Sequence, residues 1–406
     1  MKKICLSILA FLLIAISSNS QNTSDFNFKW KNGFVLSSYD KQFNLKFGGR
    51  IQVDHAFFSN NSELENSFGV LNENSASEFR RARIFMSGTV YNNVNFKLQF
   101  DFAGGKTVLK DAYIGIKAIP GIGNLRVGHM KEPFSLDALT SSKYNTFMER
   151  SLPNMFTFGR NNGVLFFNDF YNKALSIQAG LFRESDNTNG NFKLENNGYS
   201  FTSRITSLLL NDANKNQLIH IGAAYSYRKP DQNSYSFSSR PEAHLSSFKY
   251  LSTGTISDIN SINAFNFELA IVSSSFALQA EYFSTNISSS LNGINNISFN
   301  GYYAQLSYYL TGESKSYKNS YSGFGRVSPK KDFGKKNAYG SWEIALRYSW
   351  ADLNSYAVNG GEQSDITLGV NWLLNPATRF TINNVWADVK GLGKAYVFQL
   401  RFQIDF

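Results

Sequence analysis

Apolar and polar residues alternate with a period of two along much of the chain, most clearly in residues 395–406. One face of this segment carries six apolar side chains, Tyr396, Phe398, Leu400, Phe402, Ile404 and Phe406. The other face carries Gln399, Arg401, Gln403 and Asp405. Successive side chains of a β-strand point to opposite faces, so the pattern predicts an amphipathic strand. The long, aromatic apolar row favours a strand that faces lipid.

The same alternation returns many times, separated by turn-like Asn, Gly and Ser. Rows of this kind lie at residues 43–47, 82–86, 94–102, 112–116, 175–181, 219–225, 265–271, 276–282, 302–308, 342–350 and 366–372. The second and third rows predict a hairpin that turns at residues 91–93. With the weaker candidates included, we count about 16 strands. We therefore predict an all-β fold, a transmembrane antiparallel β-barrel with a wet interior.

The beginning of the chain predicts export. Residues 1–20 combine Lys2 and Lys3 with an apolar core and small residues near Ser20, which is typical of a cleaved signal peptide. We expect residues 21–41 to form a short periplasmic lead-in and residues 42–406 to form the barrel. No later segment reaches the roughly 18 uninterrupted apolar residues of a spanning helix. The predicted location is the outer membrane of a Gram-negative bacterium.

Composition adds little to this picture. The chain has 37 Phe and 21 Tyr but a mean hydropathy of −0.28, which suits strands that are apolar on one face only. Its formal net charge is +10, a modest excess that raises the local anion concentration without identifying an ion. The only cysteine, Cys5, lies in the predicted signal peptide. The four histidines are isolated in sequence and no cofactor fingerprint is present, so we expect neither a metal site nor a cofactor.

Residues 131–160 break the alternation. About 30 residues without strand character predict a functional loop, and in a wide barrel such a loop can fold inward and constrict the pore. It contains Lys131, Lys143, Arg150, Arg160, Ser141 and Ser142, cations and hydroxyl donors that suit an oxyanion. Eight arginines on candidate strands fall mostly on the polar face and would line the lumen: Arg81, Arg83, Arg126, Arg204, Arg228, Arg347, Arg379 and Arg401. Because basic and aromatic residues lie on opposite strand faces, we expect no nucleic-acid binding.

Several ordered blocks resemble one family. These blocks are FRRARIFMSGT, KLQFDFAGG and KDAYIGI, then RVGHMKEPFSLDALTSSKYNTFMERSLP and GRNNGV, and later GYYAQLSYYLTGE, GFGRVSPKKDF and LRFQIDF. Together they are similar to the phosphate-selective porin O and P family over most of the chain. The resemblance implies a 16-stranded homotrimeric channel with a basic lumen and an inward loop contributing Ser141, Ser142 and Arg150, with Lys143 adjacent and Asp111 as a wall carboxylate. Phosphate-selective members can carry a lysine three residues before the serine pair, where this chain has Ala138.

We therefore predict a passive porin, not an enzyme, for phosphate or related oxyanions such as pyrophosphate and polyphosphate. The predicted anion-binding residues are Arg81, Arg83, Asp111, Lys131, Ser141, Ser142, Lys143, Arg150 and Arg160. Predicted partners also include membrane lipid, lipopolysaccharide and, through Phe406, the barrel insertion machinery. A general non-specific porin and an outer-membrane barrel enzyme are the alternatives, although the sequence contains no recognisable catalytic constellation.

Overall fold

The alternating segments form the strands of one antiparallel sheet. The computed structural model describes residues 26–69, 74–185, 190–191, 198–290, 296–356 and 358–406. The strands of this part of the chain are β1 (Phe26–Trp30), β2 (Phe34–Ser38), β3 (Asn44–Asn60), β4 (Ser75–Val90), β5 (Val94–Asp101), β6 (Val108–Ile119), β7 (Gly123–Lys131), β8 (Arg160–Phe170), β9 (Leu175–Arg183), β10 (Tyr199–Asp212), β11 (Gln217–Lys229), β12 (Ser238–Ser239), β13 (Leu251–Ser252), β14 (Ile259–Ser273), β15 (Phe276–Ser289), β16 (Asn296–Tyr309), β17 (Tyr317–Asn319), β18 (Gly323–Phe324), β19 (Ser341–Ser355), β20 (Val358–Leu373), β21 (Thr378–Val389) and β22 (Gly393–Asp405).

Sixteen of these strands close into a barrel. From β3 onward each long strand pairs with its neighbour in sequence, and β22 pairs with β3. The predicted barrel and its strand number are thus confirmed, as is the hairpin between β4 and β5. The pairs β12–β13 and β17–β18 are short ladders in the connections and do not belong to the wall. Among the described residues, no helix is long and apolar enough to cross a membrane.

The faces of β22 follow the predicted alternation. Phe402 is 45% exposed on the outside, whereas Arg401, its neighbour, is 1% exposed on the inside. Most outward residues of the other barrel strands are likewise apolar, and many of them are exposed. The protein therefore presents a lipid-facing apolar wall around a polar interior, as a membrane barrel requires.

The seam of the barrel depends on a close approach at the last residue. The backbone N–H of Gly49 donates to the carbonyl oxygen of Phe406 (2.6 Å), and the N–H of Phe406 donates back (3.2 Å). The ring of Phe406 lies over Gly49, where no side chain would fit. The C-terminal aromatic thus completes the ladder between β22 and β3.

Part of the predicted lead-in forms a hairpin at this seam. β1 pairs with β2, and β2 pairs with residues 44–47 of β3, directly beyond the point where β22 ends. Gly33 lies against the last residue, Phe406. β2 therefore covers a stretch of β3 that would otherwise be an unpaired edge. Residues 1–20, the predicted signal peptide, lie outside the described residues.

The direction of each strand shows at which of the two ends of the barrel each connection lies. We call the end where β3 begins and β22 finishes the terminus end, and the other the far end. Three connections are long: loops 132–159 and 230–258 leave from the far end, and loop 310–340 leaves from the terminus end. The described helices are short and lie in connections: Ser62–Phe68, Leu136–Leu139 and the 3₁₀ turns Ala103–Gly105, Leu152–Phe156 and Asp231–Asn233.

Gly49→Ala is expected to impair closure of the barrel. A Cβ at residue 49 would lie 2.7 Å from the carbonyl oxygen of Arg83 and 2.7 Å from the ring of Phe406, so the wall would have to shift. We expect a smaller folded fraction, measured as the heat-modifiable band on electrophoresis. Gly325→Ala is the control, because its nearest contact would be an ordinary 3.4 Å. Equal folding of the two variants would contradict a tight seam.

Candidate functional site: a basic cavity behind an inward loop

Loop 132–159 crosses the barrel interior. It leaves the wall between β7 and β8, where Lys131 pairs with Arg160. Its first turn is held by one wall carboxylate: Glu281 of β15 accepts hydrogen bonds from the backbone N–H groups of Leu136 (3.0 Å) and Asp137 (2.8 Å). The two ends of the predicted constriction loop are therefore strand residues, and the segment between them lies in the lumen.

The middle of the loop reaches the wall near the seam. Three of its carbonyl oxygens accept hydrogen bonds from inward side chains of β20, β21 and β22. Asn371 donates to the carbonyl oxygen of Thr146 (2.8 Å), Arg379 donates to that of Asn145 (2.8 Å), and Arg401 donates to that of Met148 (2.6 Å). The loop thus spans the lumen and is fixed at both sides.

Loop 230–258 supports it from the far end. Glu242 at its centre is buried and accepts hydrogen bonds from Nε of Arg347 (3.0 Å) and from the hydroxyl of Thr367 (2.6 Å). The same carboxylate accepts from the backbone N–H of Leu152 in loop 132–159 (3.2 Å). One glutamate therefore ties two loops to the wall.

Loop 310–340 enters from the terminus end, which the sequence analysis did not predict. Its Lys315 donates to the hydroxyl of Thr146 (2.7 Å), and the N–H of its Phe324 donates to the hydroxyl of Thr140 (3.2 Å). Arg326, further along, forms an ion pair with Asp405. The loop therefore meets loop 132–159 inside the barrel.

A cavity of about 470 Å³ lies between loops 132–159 and 310–340 and the wall of β3–β9. Among the described residues that line it are eleven basic side chains: Lys46, Arg50, Arg81, Arg83, Lys97, Arg126, Lys131, Lys143, Arg150, Arg160 and Lys318. One lining residue, Asp111, is acidic. All nine residues predicted as anion-binding lie on this cavity, which brings together residues from four strands (β4, β6, β7 and β8) and loop 132–159.

The predicted cations are not equally available to an ion. Arg150 donates from Nε to the carbonyl oxygen of Asp137 (2.9 Å) and from Nη2 to that of Thr140 (2.9 Å). Lys131 donates to the carbonyl oxygens of Ala138 and Leu139 in the same turn. Both side chains therefore stabilise the loop while their charge remains at the cavity wall.

Asp111 neutralises part of the site. Nε of Arg160 donates to Oδ1 of Asp111 (2.8 Å), and Lys97 forms an ion pair with Oδ2. Arg83 is likewise paired, with Asp101 behind the cavity (Nε to Oδ2, 2.6 Å). These pairs lower the net charge that an ion meets, and they fix the direction in which the cations point.

Arg50 belongs to the site although the sequence analysis did not select it. Nη1 of Arg50 donates to the hydroxyl of Ser142 (2.7 Å) and lies 3.4 Å from that of Ser141. Both predicted serines therefore accept from an arginine, which leaves their hydroxyl protons free to donate to an anion. The sequence signal that could have selected Arg50 is the alternation in β3, where Arg50 and Gln52 share the face opposite Ile51.

Arg126 lines the cavity in an aromatic setting. Its guanidinium carbon lies 4.2 Å from the ring centre of Tyr113 and 5.0 Å from that of Phe167. Its Nε has no hydrogen-bond partner among the described residues. The two rings hold the guanidinium group at the cavity wall.

Lys143 projects from the loop toward the seam. Its Nζ lies 3.6 Å from Oδ2 of Asp405. Burial lowers the pKa of Lys143 from its ordinary value to about 8; Asp405 opposes this change, whereas the nearby Arg50 and Arg326 reinforce it. Lys143 is thus a basic group of the cavity that titrates close to neutral pH.

The other predicted arginines do not form a continuous track through the lumen. Four of them do not line the cavity and pair with carboxylates: Arg204 with Glu268, Arg228 with Glu132, Arg347 with Glu242 and Arg401 with Asp54 and Glu149. All four are buried. Their role in the structure is to hold the wall and loops, and only Arg81, Arg83 and Arg126 of the predicted eight line the cavity.

The comparison with known families covers nearly the whole chain. Residues 22–406 match the sequence profile described as "Phosphate-selective porin O and P". The chain is a member of the phosphate-selective porin O and P family. Porin O of Pseudomonas aeruginosa is 26% identical over 395 residues, covering 88% of this chain and 86% of that protein. An uncharacterized protein of Caulobacter vibrioides is 27% identical over 377 residues, covering 89% of this chain and 72% of that protein.

Solved porin structures share the fold. The anion-selective porin from Comamonas acidovorans has a TM-score of 0.54 at 11% sequence identity, with 90% of this chain and 100% of that chain covered. OmpT of Vibrio cholerae has a TM-score of 0.56 at 10% identity, with 90% and 98% covered. This porin therefore lies in the outer membrane of a Gram-negative bacterium, and its family and fold indicate a channel rather than an enzyme.

The anion preference of this porin is expected to fall as the pH rises through about 8. Lys143 carries its charge below the lowered pKa and loses it above, so the reversal potential in a KCl gradient should shift toward less anion selectivity between about pH 7 and about pH 9. Lys143→Arg is the matched control, because arginine stays charged over this range. An equal shift in the variant would assign the effect to other groups.

Proposed function

We propose that this porin conducts anions and that phosphate or a related oxyanion binds in the basic cavity during passage. The observation that carries the proposal is the composition of the cavity lining, eleven basic side chains against one carboxylate. An anion that enters a narrow pore loses part of its hydration shell, and Arg and Lys replace that shell while they repel cations. The channel itself follows from the family; the selectivity is the proposal.

The chemistry of the lining favours an oxyanion over a simple halide. Arg50 of β3, Arg126 of β7 and Lys143 of loop 132–159 contribute donors, and Ser141 and Ser142 add hydroxyl groups. Arginine can donate two parallel hydrogen bonds to the oxygens of one phosphate. A halide has no such set of oxygens to use, so these donors favour a polyatomic anion.

Ala138 bears on which oxyanion is preferred. The family resemblance places a lysine here in members that select phosphate, and this chain lacks it. The ammonium group of Lys131 reaches the carbonyl oxygens of Ala138 and Leu139, so a cation is present at this turn from another position. Because Lys131 supplies this cation, we propose that the pore prefers oxyanions even though residue 138 is alanine. The family description and the name of the Pseudomonas relative support the same proposal.

Weak binding is part of the proposed mechanism. Conduction needs an ion to leave as readily as it enters. Asp111, paired with Arg160 and Lys97, reduces the net charge at the site and competes with the ion for two of the cations. Homotrimer formation stays a prediction of the family resemblance, and lipopolysaccharide binding and recognition of Phe406 by the insertion machinery stay predictions from the sequence.

The double variant Arg50→Gln, Lys143→Gln tests the proposal. A hydrogen bond to a charged group contributes about 1.5–3 kcal/mol, and about 1.4 kcal/mol corresponds to a factor of ten. We therefore expect the phosphate concentration that half-blocks chloride current in planar bilayers to rise about tenfold or more. The preference for chloride over potassium should fall in the same recordings.

Lys390→Gln is the matched control, because Lys390 is an exposed lysine outside the cavity. It should leave both quantities unchanged. Anion selectivity without block by phosphate in the wild type would replace the proposal with a general anion porin. Selectivity that is unchanged in a folded double variant would remove the cavity from the mechanism.

A further inference from the structure

The hairpin β1–β2 carries an exposed aromatic surface that the channel function does not explain. Phe28 is 64% exposed and Trp30 is 55% exposed. The ring of Phe34 stacks on Phe28 (5.7 Å between centres) and contacts Trp30 edge to face (4.8 Å). These three rings form a preformed apolar cluster on one side of the hairpin, which we call the aromatic foot.

Strand register shows which way the aromatic foot points. Phe34 lies opposite Phe47 of β3, and directly paired side chains of neighbouring strands lie on the same face of the sheet. Phe47 is on the outer, lipid-facing side of the wall and is 45% exposed. Trp30 is paired with Phe34, and Phe28 is paired with Leu36. The aromatic foot therefore continues the outer face of the barrel.

The inner face of the same hairpin has a different character. Asn27 and Lys29 of β1 alternate with the aromatic residues and line a separate recess together with Ser37. The hairpin is thus amphipathic in the same sense as the barrel wall. Its position is also fixed, since Gly33 lies against Phe406 and β2 follows on from the end of β22.

We propose that the aromatic foot inserts into the lipid at the boundary between the hydrocarbon and the head groups, at the terminus end of the barrel. The foot is continuous with an established interface, because the outer face of β3 is lipid-facing and the hairpin extends that face by two strands. Tryptophan and other aromatic residues prefer this boundary. The hairpin thereby anchors the part of the barrel where β3 extends beyond the end of β22.

The experiment measures lipid contact one residue at a time. Cys5 is the only cysteine in the sequence, so a Cys5→Ala background accepts a single new cysteine labelled with the fluorophore NBD. The variants are Phe28→Cys in the foot, Lys29→Cys on the opposite face and Phe47→Cys in the wall. Each folded protein is placed in vesicles of phosphatidylethanolamine and phosphatidylglycerol, with or without doxyl-labelled phosphatidylcholine. A heat-modifiable band checks folding.

We expect doxyl lipid to quench the probe at residue 28 about as strongly as at residue 47, and to leave the probe at residue 29 nearly unchanged. Equal, weak quenching at residues 28 and 29 would overturn the proposal. If the probe at residue 28 is shielded from lipid and residue 28 cross-links to a second copy of the chain, the foot is a subunit contact and the proposal is wrong. None of these readouts depends on the ion that the channel conducts.

Discussion

Pairing between β22 and β3 is the constraint on which the rest of the structure depends, because it converts a sheet into a wall without free edges. A closed ladder satisfies every backbone group within the membrane, where water is absent. It also commits alternate side chains to lipid and to the interior. Once the wall is closed, charged residues of the polar face have no route to bulk solvent except the lumen. The positions of Gly49 and Phe406 show how little freedom this closure leaves.

Inside the wall, charge is divided between two tasks. Buried ion pairs such as Arg228 with Glu132 and Arg347 with Glu242 join loops to strands on one side. On the other side, cations such as Arg50 and Arg126 face an open cavity. A buried charge must be paired or solvated, since an isolated one is costly. The paired arginines meet this condition with carboxylates, as Arg160 and Lys97 do with Asp111 at the cavity itself, whereas Arg50 and Arg126 face space that water or a passing anion can enter.

The sequence predicted the strands of the wall better than the residues of the basic cavity. Alternation marked β4, β5 and β22 because their outward residues are consistently apolar, but β21 was harder to recognise, since Asn384 interrupts its outward row between Ile382 and Trp386. In β10 a register shift near Leu208 breaks the period. The cavity residues were found through the loop and the family resemblance. Inward folding of loop 310–340 has no local signal, because its contacts to Thr140 and Asp405 join distant parts of the chain.

Some supports of loop 132–159 stand outside the cavity, and this has a consequence for substitution. Glu281 and Asn371 secure the loop without lining the cavity, whereas Lys131 and Arg150 do both. Cavity cations that do not hold the loop, such as Arg126, are therefore the positions where the chemical preference of the pore can change at small cost to folding.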